Sequence, residues 1–130
     1  MDQGPLVIEQ IDAGAELARA FDSRYGLRAA FWLKESEDGQ WYLHLASDRI
    51  NDSNFDAAYG EVLRLLGGPQ LWLDAFQVKV NGTDDPLVKA VLEIQQKYSD
   101  RMATRVRNRM LAGVSVEEVY IYPIPVPAPG

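Results

Sequence analysis

At 130 residues, with 47% hydrophobic and 25% charged side chains, the chain has the size and composition of one soluble globular domain, not of a disordered or membrane-spanning one. Its net charge of -6 sets the average field against nucleic acid and anionic membranes, and the lack of cysteine removes disulfides, thiol catalysis and thiolate metal sites. The first residues, Met1-Asp2-Gln3-Gly4-Pro5, carry none of the basic and apolar regions of a secretory signal, so a cytoplasmic location is expected.

The first helix is expected after Asp12, as its cap, with Leu17, Ala18, Phe21 and Tyr25 at helical spacing and Gly26 as its stop. Strands follow at 28–35 and 41–47. Ser53 or Asn54 then caps a second helix in which Phe55, Ala58, Tyr59, Val62, Leu63 and Leu66 form the apolar stripe, ended by Gly67-Gly68-Pro69. A strand at 73–80 leads to Asp85-Pro86, an N-cap with proline at the first helical position. The third helix runs from there to about Met102, with Leu87, Val88, Val91, Leu92, Ile94 and Tyr98 on its buried side. The last strands lie at 104–110 and 116–122.

This order, αββαβαββ, predicts an α+β fold: a two-layer sandwich whose five-stranded, antiparallel-rich mixed sheet carries about three helices on one face. Residues 1–122 form a single domain, and the alternating prolines of 123–130 form a stiff, extended tail.

Residues paired directly across an antiparallel ladder point to the same side, so each hairpin register can be tested against the hydrophobic pattern. A three-residue loop, Glu37-Asp38-Gly39, pairs Leu33 with Leu43 and Phe31 with Leu45 toward the core, leaving Trp32 opposite His44 and Lys34 opposite Tyr42 on the other side. An even loop around Ala112-Gly113 pairs Val106 with Val119 and Thr104 with Ile121 inward, and Arg105 with Tyr120, Arg107 with Glu118 and Arg109 with Val116 outward. In the strand between the helices, Phe76, Val78 and Val80 turn inward, with Gln77 and Lys79 outward.

One open sheet face is therefore expected to gather the binding residues Arg28, Trp32, Tyr42, His44, Lys79, Arg105, Arg107, Arg109, Tyr120 and Tyr122, together with Lys34, Gln77 and Glu118. An antiparallel sheet with one wet face ordinarily carries long polar side chains such as Arg, Lys and Tyr, which by itself accounts for such a face. Beyond that, rings and guanidinium groups there suit three uses. The first is a protein interface, foremost self-association as a homodimer. The second is single-stranded nucleic acid, which the net charge disfavours. The third is a small anionic ligand held by Arg105, Arg107 and Arg109.

Signs of catalysis are sparse. His44 is the only histidine, and its expected neighbours, Trp32 and Tyr42, include no carboxylate to orient it. Asp48, Asp52 and Asp56 with Asn51 and Asn54 have calcium-loop spacing in part, but Ala57 and Leu63 stand where the loop needs glycine and glutamate. Those residues read as turn and cap formers, so no metal and no cofactor is expected. Gly67-Gly68 precedes a strand, which excludes a phosphate loop.

Three segments, Trp41-Tyr42-Leu43-His44-Leu45-Ala46-Ser47, Asp84-Asp85-Pro86-Leu87 and 113–123 (Gly-Val-Ser-Val-Glu-Glu-Val-Tyr-Ile-Tyr-Pro), resemble a group of small uncharacterised bacterial proteins. The resemblance covers most of the chain, implies a bacterial cytosol and supplies no activity or site residue. The sequence as a whole reads as a non-catalytic interaction module, with carboxylate or His44 chemistry as the enzyme alternative.

Overall fold

A computed structural model of the chain describes residues 4–67, 73–98 and 102–127. The expected helix stop at Gly68-Pro69, positions 99–101 of the third predicted helix and the last three tail residues lie outside them. Among the described residues the elements are α1 (Ile8–Tyr25), β1 (Ala29–Glu35), β2 (Trp41–Ser47), α2 (Phe55–Leu66), a 3-10 turn (Ala75–Gln77), β3 (Val78–Gly82), α3 (Pro86–Lys97), β4 (Thr104–Leu111) and β5 (Val114–Ile121). The strands form one mixed sheet in the order β3-β2-β1-β5-β4, with β2 and β3 parallel and the other pairs antiparallel. The α+β class and the order αββαβαββ are as the sequence predicts.

The Asp85 carboxylate accepts hydrogen bonds from the N–H groups of Leu87 (2.8 Å) and Val88 (3.4 Å), and Pro86 occupies the first helical position, so α3 begins where the sequence places it. It ends at Lys97, short of Met102. Helix α1 begins upstream of Asp12: Val7 is its cap residue, and the Val7 N–H donates to Gln10 Oε1 at 3.2 Å. Gly26 closes α1 with φ +75°, a conformation in which a Cβ is strained.

The helices are not confined to one face. Ala13, Leu17, Ala18 and Phe21 of α1 and Ala58 and Val62 of α2 pack with Ala30, Trp32, Leu43, Leu45, Val78 and Val80 on one side of the sheet. Val88, Val91 and Ile94 of α3 pack with Ala29, Phe31, Leu33, Val119 and Ile121 on the other. The central strands are thus covered twice, which is why nearly all of β1 is buried instead of alternating.

That double cover changes the first register. Trp32 pairs with Leu43, Phe31 with His44, Leu33 with Tyr42 and Lys34 with Trp41, a shift of one residue from the predicted pairing. Gly39 still supplies the left-handed turn conformation, φ +71°. The second hairpin has the predicted pairings throughout, from Thr104 opposite Ile121 to Arg109 opposite Val116. Ala112 (φ +53°) and Gly113 (φ +79°) make its turn.

Two further expectations are corrected. Val78 and Val80 face inward as predicted, but Phe76 lies in the 3-10 turn, capped by Asp74, and is 85% exposed. The proline segment is not a free tail as far as it is described: Pro123 is buried and Val126 belongs to the core on the α1 side.

Gly14 of α1 lies directly over this core. A Cβ there would sit 2.5 Å from Tyr122 Oη and 2.8 Å from Trp32 Nε1, two groups hydrogen-bonded to each other. Gly14→Ala gains about 1 kcal/mol of helix propensity, yet overpacking and the disturbed hydrogen bond outweigh it. A net loss of about 1–2 kcal/mol is expected in urea unfolding; a more stable variant would place α1 farther from the sheet.

Candidate interaction surface

Cross-strand pairing divides the predicted binding set between the two faces. On the α1 side, one row runs Val78, Leu43, Trp32, Tyr120, Arg105 and the next runs Trp41, Lys34, Glu118, Arg107. On the α3 side, Lys79, His44 and Phe31 form one row, and Tyr42 and Leu33 belong to another. Arg105 and Arg107 therefore share a face with Tyr120 and Tyr122, whereas Tyr42, His44 and Lys79 belong to the opposite one.

Arg109 leaves the Arg105 face as well. Between Lys34↔Glu118 and Glu35↔Val116 the β1–β5 register shifts by one residue, and across the ladder Asn108 adopts φ +52°. This bulge turns Val116 into the α3-side core, and Arg109, opposite Val116, follows it.

Three of the ten predicted binding residues are interior. Trp32 is 0% exposed beneath α1, and its Nε1–H donates to Tyr122 Oη at 3.0 Å. The Tyr122 hydroxyl in turn donates to the Ile11 carbonyl at 2.6 Å, and burial pushes its pKa well above the usual tyrosine value. His44 is 5% exposed, stacked on Phe31 with ring centroids 4.8 Å apart. Its Nδ1 contacts Asn81 Oδ1 at 3.2 Å, and the Asn81 amide donates onward to Asp85 at 3.5 Å. Burial lowers the His44 pKa to about 4, so the ring is neutral at pH 7.

Arg28 is exposed but engaged elsewhere. It pairs with Asp48 at 3.0 Å, and Thr83 Oγ1 donates to the same carboxylate at 2.6 Å, joining the loops that follow β2 and β3. These bonds, that of Thr83 first, hold the Asp48 carboxyl below the usual range. In the neighbouring Asn51–Asn54 turn the Asn side chains bond to local backbone: Asn51 Oδ1 accepts from the Ser53 N–H at 2.9 Å and Asn54 Oδ1 from the Asn51 N–H at 2.8 Å. Among the described residues no group of three or more His, Cys, Asp or Glu is arranged to hold a metal.

What remains as a connected, exposed arrangement is the outer part of the β4–β5 ladder. Arg105 pairs with Glu118 at 3.2 Å, and its guanidinium lies 5.1 Å from the centroid of the half-buried Tyr120 ring. Arg107 reaches the other Glu118 oxygen at 3.6 Å and keeps 68% of its side chain exposed. One largely buried carboxylate thus serves two guanidinium groups. Beside them Lys34 Nζ pairs with Glu117 at 3.0 Å, in a cleft of about 420 Å³ that Trp41 and Asn108 also line. No local signal marks Lys34 as buried, because Glu117, which pairs with it, is far away in the chain.

On the other side of β4 lies a groove of about 640 Å³ between its first residues and the end of α3, lined by Lys97, Tyr98, Met102, Thr104, Arg105 and Val106. Tyr98, expected in the buried stripe of the third helix, is instead 53% exposed here, and Met102 is 73% exposed.

No family model matches the chain, and no curated protein or solved structure matches it either.

Proposed function

We propose that the chain is a non-catalytic interaction module that engages an acidic polypeptide through the outer part of the β4–β5 ladder. The observation that carries this reading is the charge imbalance there: Arg105 and Arg107 share the single carboxylate of Glu118 at an exposed strand on a chain of net charge -6. A guanidinium left partly unpaired is a ready bidentate donor to a partner carboxylate. Arg105, held over Tyr120, presents its group with less rotamer freedom to lose.

A second copy is a poorer occupant of the same surface, because pairing two β4 strands sets arginines of both copies along one seam. The enzyme alternative loses its histidine as a reagent, since His44 is sealed against Phe31.

Titration of labelled poly-L-glutamate tests the reading. Binding is expected at low salt, weakening as salt rises, and falling at least ~10-fold in the Arg105→Glu/Arg107→Glu variant. Absence of binding by the wild type, or equal binding by the variant, defeats the proposal; tighter binding of a single-stranded oligonucleotide of equal charge transfers the surface to nucleic acid.

A further inference from the structure

We infer that the partner adds to the sheet as an extra strand beside β4, and that its sequence alternates acidic with apolar residues. This rests on the β4–β5 ladder being the interaction surface and names what that surface recognises.

β4 stands at one end of the strand order, paired to β5, so its alternate backbone N–H and C=O groups point away from the sheet. From Thr104 to Arg107 the ladder is regular, before the Asn108 kink. A strand added along this stretch continues its rows on both faces. Opposite Arg105 and Arg107 its side chains fall on the α1 side, where two guanidinium groups share one carboxylate. Opposite Thr104 and Val106 they fall on the α3 side, toward the groove that the exposed Tyr98 and Met102 line together with Lys97 and Val106. The same extended segment therefore meets cations with one set of side chains and apolar surface with the other.

Arginines on an edge also serve to keep strands from pairing. That role does not account for the exposed Tyr98 and Met102 on the opposite side of the same four residues. Nor does β4 of a second copy fit, since it offers arginine where the partner needs carboxylate.

The full chain is titrated into a labelled, end-capped peptide of about eight residues alternating Glu and Val. Three comparison peptides accompany it: Lys in place of Glu, the same residues in two blocks, and the alternating peptide methylated at two adjacent central backbone nitrogens, which closes both of its edges. The alternating peptide is expected to bind at least ~10-fold tighter than each of the three. Met102→Ser is expected to weaken it while leaving poly-L-glutamate binding unchanged. Equal binding of the methylated or blocked peptide overturns strand addition, and continued salt-sensitive binding of poly-L-glutamate then leaves the broader surface reading standing. Failure of every acidic polypeptide overturns both. Light scattering adds a further arm: a dimer dissolved by Arg107→Glu assigns the edge to a second copy and refutes the inference.

Discussion

Replacing Trp32 with alanine is expected to lower the unfolding free energy by about 3–5 kcal/mol. The indole is wholly buried on the row between Leu43 and Tyr120, with α1 above it. Alanine leaves a cavity there that α1 closes only in part, because the Tyr122 hydroxyl, bonded to the Ile11 carbonyl of α1, still stands beneath Gly14 and limits its approach. It also removes the donor to Tyr122 Oη, although that hydroxyl keeps its own bond to Ile11. Trp32→Phe keeps most of the volume and loses the hydrogen bond, so about 1–2 kcal/mol is expected. Urea unfolding followed by circular dichroism separates the two. A tryptophan on an open, wet sheet would cost well under ~1 kcal/mol on truncation; a loss that small for Trp32→Ala would contradict the two-sided packing of the sheet.

That contrast also explains which features the sequence revealed. Elements bounded by strong local signals were legible: Asp85-Pro86 at the start of α3, Gly26 after α1, and the β4–β5 register, fixed by a short turn whose two residues both adopt positive φ. Hydrophobic alternation sets register only where one face is wet, and β1 is buried on both. The pattern Ala-Ala-Phe-Trp-Leu-Lys-Glu therefore fits either pairing with β2, and only a wet face would favour Leu33 opposite Leu43 over the observed Trp32 opposite Leu43. Lys34, His44 and Tyr122 read as surface residues because their burial depends on Glu117, Asn81 and Ile11, which are remote in sequence. Of the candidate site, the sequence revealed Arg105, Arg107, Glu118 and Tyr120, all within one local hairpin. It did not reveal the Asn108 kink that removes Arg109. Asparagine tolerates the left-handed region better than most residues, but a lone asparagine in a strand is too weak a signal to predict a bulge.

Acid should destabilise the fold through His44. In the native state burial holds its pKa at about 4, against 6.5 for the unperturbed group. Between those values the unfolded chain takes up a proton that the native chain refuses, so the unfolding free energy falls as pH drops through this window. The full effect, about 3 kcal/mol, is reached near pH 4 and is absent above about pH 7. The groups around the ring do not cancel it: the Asn81 hydrogen bond and Asp85 favour the charged form, Lys79 opposes it, and burial outweighs all three. Asp48 and Glu61, whose carboxyls are held low by Thr83 and Arg64, add acid sensitivity mainly below this window. Their contribution is common to any His44 variant and cancels in the comparison. His44→Gln keeps a polar group near Asn81 and does not titrate. Its unfolding free energy, measured by urea at pH 7 and again at pH 4.5, should fall by about 2–3 kcal/mol less than that of the wild type. Parallel losses in the two proteins would show that the imidazole is open to water, and the stacked, buried position against Phe31 would then be wrong.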